Sequence, residues 1–419
     1  MELLQNKFKE KGWLQGDMSV WMVLILLCAI SLIEVYSASS RDSYANGRYW
    51  GPVMDHGFML SFGLAVAWLV HMTPCKFFKL GSTFFVFVSI GLLFYALFFG
   101  QRINGAGRWI SFFGRSFQPS EFAKISTIGF VSFLLTMRNK ETGGAHSGGV
   151  KVALGLTAIM CLLIASENFS TAAMLFLVIM VLLWIGHAPS KMLLWIMVPL
   201  MTMGGLAFFT AKTMSIDTAR SIANSVPALH RLPTWVGRIQ NGKSMPEDPK
   251  EYPVFENQQV AHAQIAIATS NVVGKGPGKS VERDYLPMAF SDYIYAIIIE
   301  EGGIESALLV LFLYLFLLYR SWKIAGRCAT RFPAYLVMGL SLMLVLQALI
   351  NMGVAVGLLP VTGQPLPLVS KGGTSTIITC AYIGMILSVS RSARQIQEAP
   401  VEVAPVPVST EPFADDVDD

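Results

Sequence analysis

The chain has 419 residues, of which 53% are hydrophobic and only 14% charged, with a formal net charge of +4. Its mean hydropathy of +0.54 excludes an ordinary soluble domain. So small a charge on so apolar a chain gives no reason to expect a nucleic-acid partner, and the expected surroundings are membrane lipid.

Apolar runs long enough to cross a bilayer recur near 19–37, 57–72, 79–99, 121–136, 151–166, 171–187, 190–210, 302–320, 334–356 and 374–390. The expectation is an all-α, polytopic membrane protein with about ten transmembrane helices. One membrane domain covers 19–392, preceded by a short segment, 1–18. That segment is charged and the run after it is long enough to be a true span, so no cleavable signal is expected. A hydrophilic loop of roughly eighty residues, 212–291, separates the seventh and eighth helices. The tail from Ala399 is rich in Pro and Val and ends Asp415-Asp416-Val417-Asp418-Asp419. Proline blocks regular structure and the acids repel one another, so 393–419 is expected to be a disordered acidic tail.

Lys and Arg in the short connecting segments are the orientation signal. With the N-terminus inside, fifteen fall on inner segments, including Lys76, Lys79, Arg320, Lys323, Arg327, Arg331 and Arg394. Six fall outside: Arg41, Arg48, Arg102, Arg108, Arg115 and Lys371. Both termini are therefore expected in the cytoplasm, with the 212–291 loop outside. Cys28, Cys75, Cys161, Cys328 and Cys380 lie in spans or on the inner side, so no disulfide framework is expected. Neither the cysteines nor the scattered histidines have zinc spacing, and no metal ligand is assigned.

Several motifs stand in order along these runs. After the third span come Asn104-Gly105-Ala106-Gly107-Arg108-Trp109-Ile110 and Gln118-Pro119-Ser120-Glu121-Phe122-Ala123-Lys124. The large loop ends in Leu286-Pro287-Met288-Ala289-Phe290-Ser291-Asp292-Tyr293-Ile294-Tyr295, followed by Glu300-Glu301-Gly302. Toward the C-terminus stand Asn351 to Gly363, then Leu366-Pro367-Leu368-Val369-Ser370-Lys371-Gly372-Gly373-Thr374-Ser375. Together these resemble the SEDS family (shape, elongation, division and sporulation), the FtsW/RodA group of bacterial membrane proteins. The resemblance covers most of 19–392. Gly353 to Pro360 and the extended polar loop are more similar to the division branch than to the elongation branch. Met288, Ser291, Lys371 and Asn168 depart from the residues usual at those motif positions.

The resemblance implies a peptidoglycan glycosyltransferase in the bacterial cytoplasmic (inner) membrane. It implies polymerisation of lipid II at the outer face, for septal wall synthesis in cell division. It also implies a class B penicillin-binding protein transpeptidase and other divisome proteins as partners. The family's essential aspartate falls on Asp292.

The residues support such chemistry on their own terms. Glycosyl transfer needs a base to take a proton from the attacking hydroxyl, and a carboxylate suits that task when desolvation raises its pKa. Asp292 lies beside Phe290, Tyr293 and Tyr295, whose rings also suit sugar faces. From residue type alone, it is equally an N-cap of the helix that follows. Arg108, Trp109, Lys275, Lys279, Ser370 and Lys371 are candidates for binding the lipid-linked pyrophosphate, or else interfacial anchors. Glu121 and Lys124, at i and i+3, form either a structural pair or part of a polar cavity. In a continuous helix, Glu300 lies about 80° around from Asp292, which makes it the acid to tune Asp292. Gln259 is a further supporting candidate. Gly274 to Ser280 looks like a phosphate loop but lacks the first glycine, since Val273 stands there. Val260–Ala268 reads as an amphipathic helix, either walling a groove or packing on the bundle. No cofactor is assigned beyond a possible divalent cation, Mg or Mn. A lipid II flippase and a non-catalytic scaffold for the transpeptidase are the competing functions.

Overall fold

The computed structural model describes residues 14–39, 50–103, 106–112, 115–137, 144–166, 168–225, 232–240, 258–286 and 291–398. Of the segment 393–419 expected to be a disordered tail, 393–398 instead continues the last helix, and the acidic remainder, 399–419, lies outside the described residues.

Among the described residues ten helices form the bundle. They are α1 (Met18–Ala38), α2 (Gly51–Met72), α3 (Cys75–Phe99), α4 (Pro119–Leu134), α5 (Ser147–Ala165), α6 (Phe169–Ile185) and α7 (Ser190–Thr213). After the polar loop come α11 (Ile294–Gly326), α12 (Arg331–Ala355) and α13 (Thr374–Glu398). Among the described residues, eight of these are long and apolar enough to cross a membrane, and α6 is a shorter apolar helix. α4 is short and its apolar run is interrupted by Glu121 and Lys124, but it is buried along almost its whole length. The multi-pass helical expectation holds, with boundaries mostly within a turn of the observed ones.

Three features differ from the expected layout. The connection between α3 and α4 is a three-stranded antiparallel sheet, with β1 (Gln101–Ile103), β2 (Ala106–Phe112) and β3 (Arg115–Phe117) in that order. Gln101 pairs with Trp109, and Ile110 with Phe117. Among the described residues the polar loop holds two helices that were not expected, α8 (Ile216–Ser225) and α9 (Leu232–Gln240), and a third that was, α10 (Gln258–Ala268). α10 packs on the bundle: Ala263 and Ala266 are buried against Tyr293, Ala296 and Val354.

The third difference is in α11, which begins eight residues before the expected span and is broken at Gly303 (φ 70°, ψ −171°). That backbone conformation is essentially restricted to glycine. The half before the break, Ile294–Glu301, is almost wholly buried. Its Ile, Tyr and Ala side chains are buried on every side, so no polar face marks the segment as a helix. A broken helix inside a membrane must satisfy the freed backbone groups from within the protein. The loop after α10 does this: Lys275 N–H donates to Glu300 O at 2.9 Å and Gly276 N–H to Glu301 O at 2.8 Å. Gly274 lies so close to Gly303 that a Cβ on either would overlap backbone of the other segment.

Within the bundle α13 lies along α2, α11 along α12 and α3 along α4. Successive helices run in alternate directions, so one end carries the start of α1, and the far end carries the sheet, the polar loop and the start of α11.

Candidate functional site

At the far end, Asp292 stands one residue before the N-cap of α11, which is Tyr293. The capping alternative is thereby corrected. The side chain is half-buried, and Ser291 Oγ donates to its Oδ1 at 3.1 Å.

The backbone under Asp292 is held by two buried side chains. Asn351 Nδ2 donates to Asp292 O at 2.8 Å and to Gln364 O at 2.8 Å. Ser370 Oγ donates to Ser291 O at 2.6 Å while accepting from Leu366 N–H at 2.8 Å. Gln364 continues the network, its Nε2 donating to Thr171 Oγ1 at 2.9 Å and Asn168 Oδ1 at 3.3 Å. Asn168 caps α6, accepting from Thr171 N–H at 3.2 Å. One chain of hydrogen bonds thus joins α6, α12, the loop after α12 and the segment bearing the carboxylate. Below it Ser31 Oγ donates to Val369 O at 2.7 Å and contacts His56 Nε2 at 2.7 Å. With its proton given to Val369, the hydroxyl accepts from His56.

Ser370, expected to bind substrate, has its hydroxyl engaged by two backbone groups and tied to the aspartate segment. Asn351, Gln364, Ser31 and His56 were not singled out as site residues by the sequence. The available signal was an amide or imidazole inside an apolar run, which is costly unless satisfied.

Glu300, expected to tune Asp292, is engaged by the loop after α10: fully buried, it receives Lys275 Nζ at 2.6 Å, Val281 N–H at 3.1 Å and Ser280 Oγ. Glu301 receives Gly278 N–H at 2.8 Å, Ser37 Oγ and, at 3.6 Å, Arg283 Nη1. The glycine-rich loop is thus a plug that neutralises two buried acids and caps the helix break. Lys275 is engaged there, with a second bond to Thr269 Oγ1 at 3.0 Å, so its expected role on substrate is not the one observed.

The other candidates separate. Glu121 and Lys124 form a buried ion pair at 2.8 Å. Lys124 also donates to Gln347 Oε1 at 2.9 Å, and Gln347 to Pro365 O at 3.1 Å. Of the two readings open for them, the structural pair is observed, tying α4 to α12 and the loop beyond. Lys279 is exposed on the plug, Gln259 is exposed at the start of α10, and Lys371 is half-buried directly after Ser370. Arg108 and Trp109 are adjacent on β2, and the indole of Trp109 is half-buried. The sheet meets the start of α13, where Thr374 Oγ1 donates to Ser116 O at 2.9 Å. Phe290 lies outside the described residues.

Beside the polar network is an apolar chamber of about 370 Å³ between α6, α7, α9 and α12. Asn168 forms part of its wall, with Phe169, Phe208, Trp235, Ile350 and Leu359. Phe169 and Trp235 are in ring contact at 5.6 Å.

The fold and site define a class: a multi-pass helical membrane protein presenting a half-buried carboxylate, Asp292, at the far end, over a buried polar network and next to an apolar chamber. The family model described as "Cell cycle protein" (FTSW_RODA_SPOVE) matches residues 17–395. The chain belongs to this family. It is 30% identical over 409 residues to the probable peptidoglycan glycosyltransferase FtsW of Haemophilus influenzae, covering 94% of this chain and 97% of that one. To the protein of the same name in Bacillus subtilis it is 29% identical, over 89% and 90% of the two chains. In solved structures, the fold resembles a chain from a work on "structural coordination of polymerization and crosslinking by a peptidoglycan synthase complex". The TM-score is 0.70, with 24% identity and coverage of 91% and 100%. It also resembles the rod shape determining protein RodA of Thermus thermophilus, with a TM-score of 0.62, 22% identity and coverage of 91% and 98%.

Proposed function

We propose that this protein is a peptidoglycan glycosyltransferase that polymerises lipid II at the outer face of the bacterial cytoplasmic membrane, for septal wall synthesis. The observation that carries the reading is the placement of Asp292. Its side chain is half-buried at the far end while Asn351 and Ser370 fix the backbone that bears it. A group held in one geometry by buried hydrogen bonds is what a general base requires. Asp292 takes the proton of the attacking sugar hydroxyl as the glycosyl bond to the lipid pyrophosphate breaks. The apolar chamber next to Asn168 suits the prenyl chain, and Arg108, Lys279 and Lys371 remain the candidate pyrophosphate ligands. A divalent cation, Mg or Mn, belongs to the proposal only as a companion of that pyrophosphate; among the described residues no group of three or more His, Cys, Asp or Glu side chains gathers to hold one.

Both termini are assigned to the cytoplasm on the basic-residue count. The partners proposed are a class B penicillin-binding protein, which would crosslink the strands, and other divisome proteins. The test supplies labelled lipid II to the purified protein with its transpeptidase partner, comparing wild type with Asp292→Ala on a glycan-chain gel. Polymer from wild type and none from a folded variant is expected. Equal polymer from both would remove Asp292 from the chemistry. Lipid II transport without polymer would favour the flippase reading, and partner activation by the variant would favour the scaffold.

A further inference from the structure

We propose that the end of the bundle bearing the start of α1 holds a headgroup site for an anionic phospholipid, between α3, α4 and α12. A cavity of about 600 Å³ there is lined by Lys76, Lys79 and Arg331, with Thr136, Thr330 and Phe332 among its other walls. Among the described residues no acidic side chain lines it. Among the described residues none of the three cations is in an ion pair. The ammonium groups instead lie over aromatic rings, Lys76 Nζ 5.5 Å from the Phe77 centroid and Lys79 Nζ 5.6 Å from that of Phe133.

Two long helices also begin at this cavity. α3 starts at Cys75 and α12 at Arg331, and neither N-cap residue, Pro74 or Thr330, makes a side-chain capping bond. First-turn N–H groups and the positive ends of both helix dipoles add to the three side-chain charges. A cavity carrying charges of this sign wants a phosphate.

The position favours a lipid as the source of that phosphate. Phe77 and Leu80 are 53% and 77% exposed next to the lysines, on a helix of membrane-spanning length. That surface suits acyl chains running away from the headgroup, and basic pockets between transmembrane helices are known recognition sites for anionic lipids. In the orientation proposed above, the site faces the inner leaflet. A second cavity at this end, about 540 Å³, is lined by Arg320, Arg327, Arg394 and Asp17. There Asp17 already pairs with Arg320, so the charge is partly met from within.

The test is native mass spectrometry of the full chain released from mixed vesicles of phosphatidylglycerol, cardiolipin and phosphatidylcholine. Wild type is expected to retain the anionic lipids over phosphatidylcholine. Lys76→Gln/Lys79→Gln/Arg331→Gln should retain them about a hundredfold less, at roughly fivefold per cation. The charge-conserving Lys76→Arg/Lys79→Arg/Arg331→Lys should retain them like wild type. A thermal melt checks folding, and where the neutral triple variant fails it, Lys76→Gln/Lys79→Gln, on two exposed side chains, takes its place. Equal retention by wild type and the neutral variants overturns the site, as does equal retention of phosphatidylcholine. Binding of inorganic phosphate without lipid retention overturns the lipid assignment.

Discussion

Ser370→Ala separates two meanings of one residue. If Ser370 binds the pyrophosphate, its loss weakens substrate binding and raises KM. If it holds the segment bearing Asp292, the loss falls on kcat, because the base is misplaced in every bound state. The structure shows Ser370 Oγ donating to Ser291 O at 2.6 Å and accepting from Leu366 N–H at 2.8 Å. The alanine leaves a buried acceptor and a buried donor unmet, at about 1–3 kcal/mol each. Asn351 still holds the adjacent Asp292 carbonyl at 2.8 Å, so the segment shifts rather than detaches. A displacement of about 1 Å in a catalytic group costs on the order of a hundredfold, equivalent to about 2.7 kcal/mol of barrier. The expected result is kcat lower by about ten- to a hundredfold, KM within about twofold, and a lower melting temperature. Lipid II titration with a glycan-chain readout, alongside a thermal melt in detergent, measures all three. Unchanged kcat with a raised KM would refute the positioning role and restore Ser370 to the substrate.

Lys275→Ala leaves Glu300 buried without its cation, so it should destabilise the protein by about 3–5 kcal/mol. Adding Glu300→Gln should recover part of that loss in a thermal melt. Glu121→Ala strands Lys124 in the same way, whereas Glu121→Leu/Lys124→Met should recover most of that loss, falling short of wild type by the buried Gln347 acceptor it leaves unmet. Gly303→Ala forces a Cβ into the backbone of Val272 and Gly274. It should release the glycine-rich plug, read as new protease cleavage near 271–285. Burial, with Cys75 nearby, pushes the Cys328 thiol up to about 12. At pH 9 an ordinary thiol is largely thiolate, while Cys328 should be about one part in a thousand. Maleimide labelling at that position should therefore be slow in the native protein and fast after denaturation. The raised value favours the protonated native form, so its contribution to stability is complete below about pH 8.5 and is lost as the pH rises toward 12. Equal labelling rates in both states would contradict the burial.

Apolar runs determine most of the bundle by themselves, because a bilayer demands length and hydropathy before any tertiary contact forms. That is why α1, α3, α7 and α12 start and stop near their expected limits. The order of motifs likewise marks Asp292 as the acid to test. What composition does not carry is the partner of each polar group. Glu300, Glu301 and the glycines beside Lys275 read as a tuning acid and a phosphate loop, yet they meet across the break at Gly303 and satisfy one another. Ser370 and Asn351 reach the Asp292 segment only because α12 and the loop after it fold back against the start of α11. The sequence by itself therefore determined a multi-pass membrane protein and marked one carboxylate, Asp292, for testing. Only the tertiary structure decided which buried polar side chains hold the backbone that bears it and which are spent on the helix break. A buried hydrogen bond depends on distance and direction between segments far apart in the chain, and residue type alone specifies neither.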